Sequence, residues 1–182
     1  MKQKVVLISI DGMRPDGFLN CNNPFIHEMM KRGSYTLEGS SMIPSVTLPC
    51  HMSIFHSVTP ERHGMTTNTY MPMVRPVNSL FKQISNAGGN CAMYYGWEPI
   101  RDVASPGTLK HAEFIWAYTT DHTDRLLTES ALTYIKKEKP DFESGKKFSG
   151  LSLLDLAPTV AELMGVPVAR EWEGKSIVEV RR

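Results

Sequence analysis

Pro44–Gly64 reads PSVTLPCHMSIFHSVTPERHG, and the fold turns on what this stretch becomes. Thr47 stands just ahead of a run predicted as a short helix, because Pro49 suits a first turn and Leu48, Met52 and Phe55 share one face. A hydroxyl at that place faces unpaired backbone N–H groups and the positive end of a helix dipole, where a phosphate can be held. It is also an ordinary place for a capping threonine, so Thr47 alone decides nothing. Its surroundings add two parts. Upstream, the apolar run Val5–Ile10 ends in Asp11-Gly12 and is predicted as a buried parallel strand. Such a strand delivers its carboxylate at the C-terminal edge, where open α/β sheets carry their chemistry. Downstream, Asn68 lies in a Gly- and Thr-rich loop. A carboxylate, a hydroxyl and an amide donor are the parts needed for metal-assisted attack on phosphorus.

The set VVLISIDGMRPD (5–16), NPFIHEMMKRG (23–33), the Thr47 stretch and Asn68 resembles the type I phosphodiesterase and nucleotide pyrophosphatase family of the alkaline phosphatase superfamily. The resemblance implies an α/β fold of alkaline-phosphatase type, three layers α/β/α around a mostly parallel sheet. It implies metal-dependent hydrolysis of a phosphodiester or pyrophosphate bond in a small-molecule or nucleotide substrate. Thr47 would be the nucleophile and, with Asp11, a ligand to metal. Asn68 would donate to a phosphoryl oxygen, and the cofactors would be two divalent ions, zinc. The pattern departs locally: His56-Ser57 stands where the family often has Thr-Gly, and Cys50 where Asn is frequent.

A larger departure follows Lys139-Pro140-Asp141-Phe142. The family would run there into a central strand and further ligand pairs, whereas this chain continues ESGKKFSG and then GLSLLDLAPTVAELMGVPVAREWEGKSI (150–177), which resembles the family's C-terminal signature. The reading is therefore one domain over 1–182, internally truncated near 142–143 and short of most of the ligand set. A shortened chain, an omitted segment and ligands from a second chain all fit. So does a second function class: a catalytically impaired member that binds an anion or a partner through the helix after Thr47. A lost strand would leave an open sheet edge and uncovered apolar faces, so a homodimer with an interface around Pro140–Gly150 is expected.

Composition sets the remaining bounds. A chain of 182 residues with 41% hydrophobic and 21% charged residues is long enough for one core. A net charge of +1 gives no reason to expect nucleic acid or an anionic membrane as partner. Cys21, Cys50 and Cys91 lack zinc-type spacing and are read as reduced thiols, and the first apolar run is too short for a signal peptide, so a cytoplasmic location is expected. Predicted elements are helix Pro24–Lys31 capped by Asn23, strand Ser34–Met42, a helix from Asn78 to Ala87, strands Asn90–Tyr95 and Glu113–Tyr118, helix Asp124–Lys137, and a helix capped by Ser152 and ended by Gly165 with Leu153, Leu156, Val160 and Leu163 as its apolar face. His51 and His63 are read as supports of the Thr47 loop rather than metal ligands. Asp121-His122 is read as a helix start, and Trp97 as cover for the core edge.

Overall fold

The computed structural model describes residues 4–117, 120–138 and 151–178, with the backbone alone at 120, 121 and 138. The helices are α1 (Pro15–Asn20), α2 (Pro24–Arg32), α3 (Thr47–His56), α4 (Pro60–His63), α5 (Leu80–Asn86), α6 (Thr120–Glu138) and α7 (Leu156–Met164). Strands β1 (Ala92–Tyr95) and β2 (His111–Phe114) pair in parallel, with Met93 opposite Ala112 and Tyr95 opposite Phe114. Strand alternation gives each face its own helix. Met93 packs with Leu48 and Met52 of α3, whereas Tyr94 and His111 turn the other way and meet Tyr134 of α6 at ring separations of 6.4 and 5.8 Å. The helix-on-sheet-on-helix order around a parallel pair agrees with the α/β expectation.

Two apolar clusters hold these layers. One joins Val58, Leu80, Ile84, Val160, Met164 and Trp172 between α5, α7 and the C-terminal segment. The other joins Leu48, Met52, Met65, Phe81, Met93 and Val103 beneath α3, with Trp97 packed at its margin. Phe55 stacks on Phe81 at 4.7 Å and touches both clusters. Leu48 and Met52 are essentially closed to solvent, and each contributes about 2 kcal/mol by burial.

Several predicted elements come out differently. Val5–Ile10 is extended but forms no strand among the described residues, and Ile8 and Ile10 remain 76% and 62% exposed. A strand exists only with a neighbour to share its hydrogen bonds, and β1 and β2 pair elsewhere. Among the described residues Ser34–Met42 makes one isolated parallel bridge, Ser40 to Ser152. Helix α5 is capped by Ser79, whose hydroxyl accepts from Lys82 N at 3.2 Å, while the Asn78 carbonyl instead accepts from Trp172 Nε1. The buried residues of α7 are Ala157, Pro158, Val160, Ala161 and Met164, so Val160 of the predicted stripe is buried while Leu153, Leu156 and Leu163 are only partly so. Asp121-His122 lies inside the first turn of α6, and the Asp121 side chain lies outside the described residues. The junction at 142–143 and the interface expected around Pro140–Gly150 also lie outside them.

The departure at Ser57 has a structural partner far along the chain. Ser57 ends α3 in the left-handed region, φ 52°, where glycine is favoured and another residue costs about 1 kcal/mol. Its buried hydroxyl donates to the Leu154 carbonyl at 2.7 Å and accepts from Gly174 N at 3.0 Å, and its carbonyl accepts from Glu173 N. These bonds offset the strain. The C-terminal strap passes so close that a Cβ on Gly174 would fall on the Leu154 carbonyl and the Ser57 hydroxyl. Gly174→Ala should therefore lower unfolding stability by about 3 kcal/mol in urea melts. Ser57→Gly, which relieves strain as it loses bonds, should stay within about 1 kcal/mol of the parent. An unchanged midpoint for Gly174→Ala would mean that the strap does not pack as described.

Candidate active site

Helix α3 begins at Thr47 itself, with Val46 at the N-cap position and no capping side chain. Thr47 is thus the first helical residue, and the alternative reading of it as a plain cap does not hold. Its hydroxyl donates outward to Asp11 Oδ2 at 3.1 Å, across 36 residues of chain. Asn68 takes the capping part instead, since its Oδ1 accepts from Leu48 N at 3.0 Å. A backbone N–H can meet only an acceptor, so this bond assigns the amide: Oδ1 is on the helix and Nδ2 keeps its hydrogens for another partner. Asp11, Thr47 and Asn68 therefore meet at one helix end.

Asp11 and Thr47 line a cavity of about 450 Å³ together with Ser40, Ser41, Ser152 and Asp155. Sequence reasoning missed those four. They reach the cavity through the Ser40–Ser152 bridge, which no local pattern announces. Cys50 lines it as well, one turn along α3 from Thr47. The described lining includes no Lys or Arg, so the first turn of α3 supplies the positive field there.

The donors around the cavity fall short of what the expected pair of divalent ions needs. Asp155 is already engaged, its Oδ2 by Ser152 N at 3.0 Å and its Oδ1 by Lys175 N at 2.9 Å. Among the described residues no three His, Cys, Asp or Glu side chains converge as a metal site. One carboxylate and one hydroxyl do not make a two-ion centre. Both candidate histidines have protein partners. His51 meets the Thr47 carbonyl and Ser9, and buried His63 accepts from Met65 N at Nδ1 while Nε2 meets Ser53 Oγ at 3.1 Å. His56, buried at the other end of α3, donates from Nδ1 to the Met52 carbonyl.

Residues 5–163 match the family model described as type I phosphodiesterase / nucleotide pyrophosphatase. The chain is similar to human ectonucleotide pyrophosphatase/phosphodiesterase family member 1, 33% identical over 114 residues, which is 61% of this chain and 12% of that protein. It is 30% identical to human family member 5 over 74 residues, 41% of this chain and 16% of that one. An uncharacterized pyrophosphatase/phosphodiesterase of Schizosaccharomyces pombe is 28% identical over 116 residues, 62% of this chain and 23% of the relative. The matched part is thus under a quarter of each relative's length. No solved structure matches the chain.

Burial pushes His56 and His63 down to about 4, so the fold holds both rings neutral. Their ordinary value is 6.5. As pH falls below that value the unfolded chain takes up protons that the folded chain refuses. Stability should therefore be full above about pH 6.5 and decline toward pH 4, by at most about 1.4 kcal/mol per pH unit for each histidine. Urea melts at pH 7.5 and 5.5 check this. Equal midpoints would contradict the burial of both rings.

Proposed function

Because this chain belongs to the type I phosphodiesterase / nucleotide pyrophosphatase family, we propose that it hydrolyses a phosphodiester or pyrophosphate bond of a small-molecule or nucleotide substrate, with Thr47 as nucleophile. The observation that carries this reading is the hydrogen bond between Thr47 and Asp11, both of which line the cavity. It directs the hydroxyl hydrogen to Asp11 Oδ2, which leaves a lone pair of Oγ1 for phosphorus. As the Oγ1–P bond forms and the leaving-group oxygen departs, the proton passes to Asp11. Asn68 Nδ2 and the first-turn amides of α3 donate to the non-bridging oxygens, where negative charge gathers. Water then displaces Oγ1 from phosphorus: Asp11 returns its proton to Oγ1, and the proton that the water sheds passes through solvent to the oxygen of the departed leaving group.

The family is generally metal-dependent. The expected pair of ions, zinc by the resemblance, would take only Asp11 and Thr47 from the described residues, so no step above is routed through metal. That short donor set also favours a second reading, an impaired member that binds an anion or a partner at the same helix end. Titration calorimetry with zinc chloride should accordingly show weak uptake. Two tightly held ions per chain would remove the second reading and would mean that further ligands complete the centre.

Thr47→Ala should abolish p-nitrophenol release from bis-p-nitrophenyl phosphate. Asn68→Asp keeps an acceptor for the Leu48 amide but loses the donor, so it should melt like the parent and lose about 100-fold or more in kcat. Parental turnover in Thr47→Ala would refute the nucleophile, and parental turnover in Asn68→Asp would refute the donor.

A further inference from the structure

Residues 5–10 carry Asp11 to the cavity, and Val5 packs on the cluster of Leu80, Ile84 and Val160, yet among the described residues no backbone–backbone hydrogen bond joins 5–10 to any element. Something else must fix the distance from Asp11 to Thr47. Two side-chain contacts to α3 do so: the Thr47–Asp11 bond itself, and a bond of 3.2 Å between Ser9 Oγ and His51 Nε2. The same imidazole places Nδ1 2.8 Å from the Thr47 carbonyl. A carbonyl only accepts, so Nδ1 carries the hydrogen. In that tautomer Nε2 is an acceptor, and the Ser9 hydroxyl must donate to it.

One ring therefore grips the backbone of the nucleophile's own residue and a hydroxyl two positions before the carboxylate. We infer that His51 is a positioning residue that holds Asp11 in register with the Thr47 hydroxyl. The inference rests on the reaction proposed above and deepens it, since it says what sets the geometry of the attacking pair. Without this clasp, residues 5–11 keep the Thr47–Asp11 contact as their hydrogen bond to α3 among the described residues. That contact exchanges donor and acceptor as the proton moves, so it cannot by itself hold a constant geometry. With the clasp, Asp11 stays in place through the step, and a small displacement of a reacting pair costs rate more than binding.

The substitutions separate the two ends of the clasp. His51→Asn puts an amide N–H near the Nδ1 position, where it can still reach the Thr47 carbonyl, but it is too short for Ser9. Ser9→Ala removes the other end. Both should lower kcat on bis-p-nitrophenyl phosphate about tenfold with KM nearly unchanged, and the double variant should be no slower than either single one. Parental kcat in Ser9→Ala, or multiplying losses in the double variant, would overturn the inference. A second measurement does not depend on turnover. Imidazole nitrogen NMR should show His51 as the Nδ1–H tautomer, and Ser9→Ala should move the resonance of the Gly12 amide, which donates to Asp11 Oδ1. The Nε2–H tautomer, or an unmoved Gly12 amide, would overturn the clasp. If the parent protein turns over no diester while both NMR results hold, the proposed reaction fails and the clasp stands.

Discussion

The hydrogen bond from the Leu48 amide to Asn68 Oδ1 is the constraint on which the candidate site depends. Leu48 is fully buried in the cluster formed with Met52, Met65, Phe81, Met93 and Val103, so its backbone cannot shift without disturbing the larger of α3's two packing faces. The bond passes that rigidity to Asn68, a residue in an otherwise exposed loop. It also fixes what Thr47 does. Neighbouring residues on a helix point about 100° apart, so a side chain sunk in the core at position 48 turns the one at position 47 toward the edge, where Asp11 meets it.

The far end of α3 is held just as firmly, and by different chemistry. Ser57 accepts a left-handed backbone and in return ties three segments together: the helix, the turn containing Leu154, and the strap at 173–174. The next residue of the strap, Lys175, donates its amide to Asp155, which lines the cavity. The two walls of the cavity are thus joined through one buried hydroxyl on the side remote from Thr47. Where the family often has glycine, this chain has a residue that replaces conformational freedom with hydrogen bonds.

Much of this was legible from local pattern. Asn23 caps α2, Ser152 opens the turn before α7, Gly165 ends α7, and the run from Asn90 to Tyr95 contains β1, all as periodicity and cap chemistry predict. Asp11, Thr47 and Asn68 stand out in the sequence by residue type and order, and the fold brings them to one helix end. Nonlocal facts were not legible. Val5–Ile10 has the composition of a core strand, but composition cannot supply the neighbour that makes a strand. Thr47 and Ser79 are both hydroxyl residues at helix starts, yet only Ser79 caps its own helix: a cap at Thr47 would need an amide two or three positions on, where Pro49 has no N–H and the Cys50 amide already donates to the Val46 carbonyl. Ser57 looked like a blemish in a motif, and its partner lies at Gly174, more than half the chain away.

The cavity's electrostatics narrow what it can hold. Asp11 and Asp155 line it, the described lining has no cationic side chain, and the helix dipole of α3 amounts to roughly half a unit charge. A phosphate diester brings one negative charge and a monoester near neutral pH brings about two. With an effective dielectric of about 20, each further unit charge at ~5 Å from a carboxylate costs on the order of 3 kcal/mol. The dipole can offset part of that for the diester and much less of it for the monoester.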